Sequence, residues 1–192
     1  MELDEIKKEF KELNLENQLE IEEIPQIDLY MDQVIQLFDG KFNDSKRNEE
    51  DKALTKTMIN NYAKGKLLMS VKNKKYSKEH LILMSLIYNL KGSLSINDIK
   101  SSLNKIVKTL DNDEQYPIRN LYKSYLDIYK NDYNFVEESL EEKVKEVEGI
   151  FEGKDFDEFE FNFLLMGSFI NMSNMYRKMG EKLIDNYFNK LK

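Results

Sequence analysis

Two prolines and seven glycines are the only strong helix breakers in 192 residues, and this scarcity limits the fold more than any other feature. Pro25 and Pro117 divide the chain into long stretches rich in Leu, Lys, Glu, Met and Gln, which are good helix formers. Long helices are therefore predicted. A hydrophobic share of 41% places the chain among globular rather than disordered sequences. The length allows one or two domains with a substantial buried core. Cysteine is absent, which excludes disulfides, thiolate metal sites and cysteine nucleophiles and fits a reducing compartment. The first ten residues are charged from Glu2 onward and lack the apolar core of a signal peptide. The longest uncharged apolar stretch, Asn162 to Tyr176, is too short to span a bilayer. A soluble cytoplasmic protein is the expectation.

Apolar spacing places the elements. Leu3, Ile6, Phe10 and Leu13 form a heptad-like stripe on a predicted N-terminal helix within residues 1–24, closed by Pro25. A second helix is predicted over 27–38, with Asp28 as cap or first-turn acid. A polar loop follows over 40–51. Thr55 caps a helix to about Gly65, and residues 67–76 suit a two-stranded hairpin. Ser77 opens a helix through Lys91, ended by Gly92. Ser95 with Asp98 is a capping box that starts a helix to about Leu110. The polar run Asp111–Glu114 marks a predicted domain boundary. Beyond it, Pro117 suits a first helical turn. Leu121, Tyr122, Tyr125, Ile128 and Tyr129 fit one helix, and Val136, Leu140, Val144, Val147 and Phe151 the next. Gly153–Asp155 is expected to turn the chain into a last helix, 157–191, apolar on most sides. Such a helix belongs inside a bundle or an interface.

One stretch reverses the charge of the whole. Lys52 to Lys78 holds eight lysines and no acidic residue, in a chain of net charge −7. Elsewhere 21 basic residues face 36 acidic ones. A basic island on a short helix with polar and aromatic neighbours has the composition of a nucleic-acid surface. On the 55–65 helix, Lys56, Thr57, Asn60, Asn61 and Lys64 fall on the outer face, with Met58, Ile59 and Tyr62 mostly inward. Asn can pair bidentately with adenine in the major groove. Lys66, Lys72, Lys74, Lys75 and Lys78 would grip phosphates, which position without specifying.

The order Ile59-Asn-Asn-Tyr62, Lys66-Leu-Leu68, Tyr76-Ser77, an apolar helix ending Asn89-Leu-Lys-Gly92, then Leu94-Ser-Ile-Asn-Asp-Ile99 resembles the winged helix-turn-helix domain of the mercury-resistance-regulator (MerR) family, over Leu54 to Leu110. That family's recognition-helix arginine falls on Asn60, its next aromatic on Asn61 and its glycine on Lys66. The segments Ile24–Val34 and Leu54–Tyr62 are also similar to an uncharacterised bacterial family, domain of unknown function 1836, over roughly 22–130. The resemblance implies an all-α chain with a small β-hairpin wing. Residues 1–24 would be an N-terminal helix, 25–111 the winged domain, and 112–192 a helical dimerisation or effector region. It implies a transcriptional regulator that binds double-stranded DNA, usually as a homodimer on two-fold sites. The alternative is a helical protein–protein interaction module whose basic patch meets an acidic partner, without DNA.

Other candidates carry less chemistry. His80, the one histidine, lacks the partners of a bundle metal site and is read as structural. Asp111-Asn-Asp-Glu114 begins like a calcium loop but continues with Gln115 and Tyr116 where a ligand and a glycine belong. Asp155, Asp157 and Glu158 read as favourable charges at a helix start. Phe161, Phe163, Met166, Phe169, Met172, Met175 and Met179 read as core or subunit interface rather than a ligand pocket. No phosphate loop, dinucleotide fingerprint or nucleophile elbow occurs, so neither an enzyme nor a cofactor is expected.

Overall fold

A computed structural model describes residues 3–151 and 157–190. The chain is mostly helical, with one small two-stranded antiparallel sheet. In order come α1 (Leu3–Glu12), β1 (Leu29–Tyr30), α2 (Met31–Phe42), a single 3-10 turn (Asn43–Ser45), α3 (Lys56–Lys64) and β2 (Lys75–Tyr76). Then follow α4 (Lys78–Leu90), α5 (Ile96–Asp111), α6 (Ile118–Phe151), α7 (Glu158–Leu183) and a wider π-type turn (Ile184–Phe188). Among the described residues no helix is long and apolar enough to cross a membrane.

Several boundaries differ from the sequence expectation. The first helix stops at Glu12, and Leu13 is exposed. The segment beyond it is irregular, and Leu19 and Ile24 drop into the main core. The second helix starts at Met31, later than predicted, because Leu29 and Tyr30 are taken into β1. Asp28 is therefore not its cap; the Gln33 side chain accepts from the Tyr30 N–H at 2.9 Å instead. The same helix runs on through Gly40, shortening the expected loop. Gly92 ends α4 without a left-handed conformation; Lys91 caps it with ordinary helical angles. The two helices expected after Pro117 are one, since nothing between Tyr129 and Val136 breaks a helix. The predicted turn at Gly153–Asp155 and the end of the last helix at Leu191 lie outside the described residues.

Two apolar clusters share α6. The larger joins Leu19, Ile24 and Leu29 to α2, α3, α4, α5 and the first third of α6, through Ile118, Tyr122 and Leu126. It runs straight past the polar break at Asp111–Glu114. Tyr122 is fully buried and clamps three segments: its hydroxyl donates to the Leu19 carbonyl at 2.7 Å and lies 2.8 Å from Ser85 Oγ. Burial pushes its phenol up to about 12. The smaller cluster packs Ile6 and Phe10 of α1 against Leu140, Val144 and Val147 of α6 and Leu165 of α7.

Candidate nucleic-acid interface

Helix α3 is short, and its ends are fixed locally. Thr55 accepts the Met58 N–H at 3.1 Å, as its sequence position predicts. Ile59 and Tyr62 are buried, and Met58 is half-buried. Lys56, Thr57, Asn60, Asn61 and Lys64 all lie exposed on the opposite face. The helix stops at Gly65, where an added Cβ would stand 2.7 Å from Leu67 Cδ1 and 3.1 Å from the Asn61 carbonyl. Lys66 then turns the chain with φ of 58°, in the left-handed region. The Leu67 N–H returns to the Tyr62 carbonyl at 2.9 Å, and Leu67 and Leu68 enter the core.

The expected hairpin over 67–76 is reduced to a tight turn. Asn73 and Lys74 have φ of 53° and 59°, and the Lys75 N–H donates to the Lys72 carbonyl at 3.0 Å. These are the marks of a type I′ turn. Within the hairpin only Lys72 and Lys75 form a bridge; the outgoing strand, β2, otherwise pairs with β1, Tyr76 opposite Leu29 and Lys75 opposite Tyr30. The turn is thereby tied to the start of α2.

The basic side chains divide into groups. Lys56 Nζ lies 2.8 Å from Asp32 in the first turn of α2, and Lys75 Nζ lies 5.0 Å from the centre of the Tyr30 ring. Two ammonium groups from separate elements thus converge on the start of α2. On the other side, Asp111 and Asp113 hold the approach to the turn. Asp111 accepts from the Ser70 N–H at 2.7 Å, which holds its carboxyl below the usual range. Asp113 lies 2.7 Å from Lys72 Nζ and raises that lysine. Lys64 and Lys74 are exposed and form no ion pair or side-chain hydrogen bond among the described residues.

Lys78 does not join this surface. It is buried, with Nζ donating to the carbonyls of Ile21 at 2.6 Å and Ile24 at 3.3 Å. A charge at the first turn of α4 is satisfied by two otherwise orphaned carbonyls of the 19–30 segment. Only tertiary placement of that segment reveals this, and sequence reasoning missed it. The bracing by Asp111 and Asp113 was also missed. Its one sequence signal was the proximity of acids to a helix end, read there as a boundary.

His80 is structural, as expected: Nδ1 accepts the Ser77 N–H at 3.1 Å, which leaves Nε2–H to donate to the Met69 carbonyl at 3.2 Å. Burial lowers its basicity. No cluster of three or more metal-ligating side chains exists among the described residues. Of the aromatic and Met residues of α7, Phe161 packs against the smaller cluster and Met172 is half-buried, but the others are not core. Phe163, Met166, Phe169, Met175 and Met179 are exposed, and α7 buries Leu165 alone fully. Part of this helix lines an open apolar cleft of about 860 Å³ against Phe10 and Leu13 on one side and Phe135 and Val136 on the other. Asp155 lies outside the described residues. Asp157 caps α7, accepting the Phe159 N–H at 2.7 Å.

No curated protein and no solved structure matches the chain. A family model described as domain of unknown function (DUF1836) matches residues 19–125. The match begins at the buried Leu19 and stops beside Leu126, so it coincides with the larger apolar cluster. It covers more than half of the sequence and contains α3, the turn and the lysines around them, and on that match the chain belongs to the DUF1836 family.

Proposed function

We propose that this protein is a DNA-binding transcriptional regulator of MerR-like type. In this reading β1, α2, α3, the 72–75 turn, β2 and α4 form a winged helix-turn-helix with an extended connection between its two helices. Helix α3 enters the major groove, offering Asn60 and Asn61 to base edges and Lys56, Thr57 and Lys64 to the flanking backbone. Lys66, Lys72, Lys74 and Lys75 contact phosphates. The protein acts as a homodimer on a two-fold site.

The observation that carries the reading is where the lysines sit. Lys66 and Lys74 both occupy left-handed conformations, where a residue with a Cβ costs about 1–2 kcal/mol and glycine costs little. Chain positions that favour glycine are filled by exposed cations. Retained strain of this kind is found at functional sites. The ion pairs to Asp32 and Asp113 do not oppose the reading. They are exposed, and such pairs contribute little and yield readily to phosphate.

The test is fluorescence anisotropy of the purified chain on labelled duplex DNA across a salt series. Six exposed or half-exposed lysines set the upper bound. Affinity should fall with added salt at a log–log slope of up to about −5 per protomer, at about −0.9 per phosphate contact. Paired Lys64→Glu and Lys74→Glu substitutions, at side chains without partners, should abolish binding and leave helicity unchanged. A chain that binds no duplex at low salt refutes the regulator reading and leaves the interaction module.

A further inference from the structure

The larger apolar cluster opens into a second cleft, between α4, α5, the start of α6 and the π-type turn. Its volume is about 710 Å³, inside the roughly 300–1,000 Å³ range of small-molecule sites. Buried Leu86, Leu103 and Ile106 form the inner lining, and Leu121 and Phe188 stand at the mouth, 43% and 38% exposed. The turn that carries Phe188 packs against α5, so the returning end of the chain supplies one wall. Ser102 and Thr109 also line the cleft, but each hydroxyl donates to a carbonyl of its own helix, Asp98 and Lys105, both at 2.9 Å. Neither has a proton to offer a ligand.

The charged groups are of one sign. Lys105 and Lys108 lie a turn apart on one face of α5, and both line the cleft. Among the described residues no carboxylate lines it, in a chain with 36 acidic side chains against 29 basic ones. Neither lysine forms an ion pair among the described residues. The cleft along α7 differs, because Glu9 and Asp132 stand there beside Lys143.

We infer that the α4–α5–α6 cleft binds an amphipathic carboxylate, its apolar chain against Leu86, Leu103 and Ile106 and its anionic end at the rim between Lys105 and Lys108. The lining excludes the other classes. A cation would meet two like charges and no counter-charge. A sugar phosphate would press hydroxyls onto an apolar wall without partners. A carboxylate satisfies both ammonium groups through charge-assisted hydrogen bonds while its chain leaves water. A protein helix is a poorer fit. At roughly 200 Å² per full side chain, Leu121 and Phe188 together bare about 160 Å², against about 800 Å² per partner in a standard interface. The site needs neither DNA nor a second copy, so it and the regulator reading fail separately.

The experiment uses dodecanoate as probe, with dodecyltrimethylammonium as the cation of equal chain length. Leu121→Trp gives the full chain its one tryptophan at the mouth of the cleft. Its emission should shift to the blue, saturably, with a Kd for dodecanoate below about 100 µM and at least tenfold above that for the cation. Isothermal titration of the unsubstituted chain should return the same preference, which shows that the reporter did not create the site. Lys105→Glu with Lys108→Glu should weaken dodecanoate at least tenfold and leave the far-UV spectrum unchanged, since both side chains are exposed. Arginine at both positions should keep the binding. A chain that takes up no dodecanoate at 1 mM overturns the proposal. So does equal uptake of the two probes, uptake that the paired glutamates leave unchanged, or a cleft that accepts an acidic peptide and refuses dodecanoate.

Discussion

Lys74→Gly should make the protein more stable and a weaker DNA binder at once. Lys74 sits at the second position of the type I′ turn with φ of 59°, after Asn73 at 53°. Asn-Gly is the favoured pair for this turn. Relief of the left-handed penalty is worth about 1–2 kcal/mol, offset by roughly 0.5–1 kcal/mol of extra chain entropy in the unfolded state. The net is a gain of about 0.5–1 kcal/mol, or about 1–4 °C in Tm for a chain of this size. No compensating contact is lost, because the Lys74 side chain has no partner among the described residues. The DNA-binding reading requires the opposite sign in affinity. Removing one phosphate contact should flatten the salt slope by about 0.9, with the loss uniform across DNA sequences. Urea unfolding followed by far-UV circular dichroism gives the first number, and the anisotropy series gives the second. A fall in stability would refute the turn geometry. A gain in stability with an unaltered salt slope would remove Lys74 from the interface.

Three further outcomes follow from the core and its edges. Lys78→Met leaves the Ile21 and Ile24 carbonyls without their donor and should cost about 2 kcal/mol by chemical unfolding, with no change in salt slope on DNA; a changed slope would return Lys78 to the surface. Tyr122→Phe strands the Leu19 carbonyl and the Ser85 hydroxyl and should cost about 1–3 kcal/mol, part of it recovered by adding Ser85→Ala; a neutral single substitution would contradict the clamp. His80 has a folded-state pKa below its usual 6.5, because burial outweighs the Met69 hydrogen bond and the nearby Glu79, Asp28 and Asp111. Its contribution is therefore present above pH 6.5 and lost as pH falls below that value, before carboxylates such as Glu79 and Glu23 titrate. His80→Gln keeps an acceptor for the Ser77 N–H and should flatten stability between pH 7 and 5; an unchanged slope in that window would exclude His80 as its source.

The helical character of the chain, the caps at Thr55 and Ser95, and the inward and outward faces of α3 were legible in the residues alone, although several helix limits were not. Each of these is a local matter. A hydroxyl three residues from an N–H, or an apolar residue every three or four positions, acts through contacts within a single turn. The lysine island and the membership of residues 19–125 in one family were legible for the same reason. Tertiary structure alone decided the rest. Lys78 looks like its neighbours in sequence, but the 19–30 segment folds over it and supplies the two carbonyls that bury its charge. Tyr76 pairs with Leu29 rather than within its own hairpin, because β1 approaches from far along the chain. Asp111 and Asp113 brace the turn across 41 residues. The apolar positions of α7 led to an expectation of burial, but the chain's own neighbours bury Leu165 and leave Phe163 and Met166 exposed. Periodicity records how much apolar surface a helix has, and only packing decides which of it the chain's own neighbours reach.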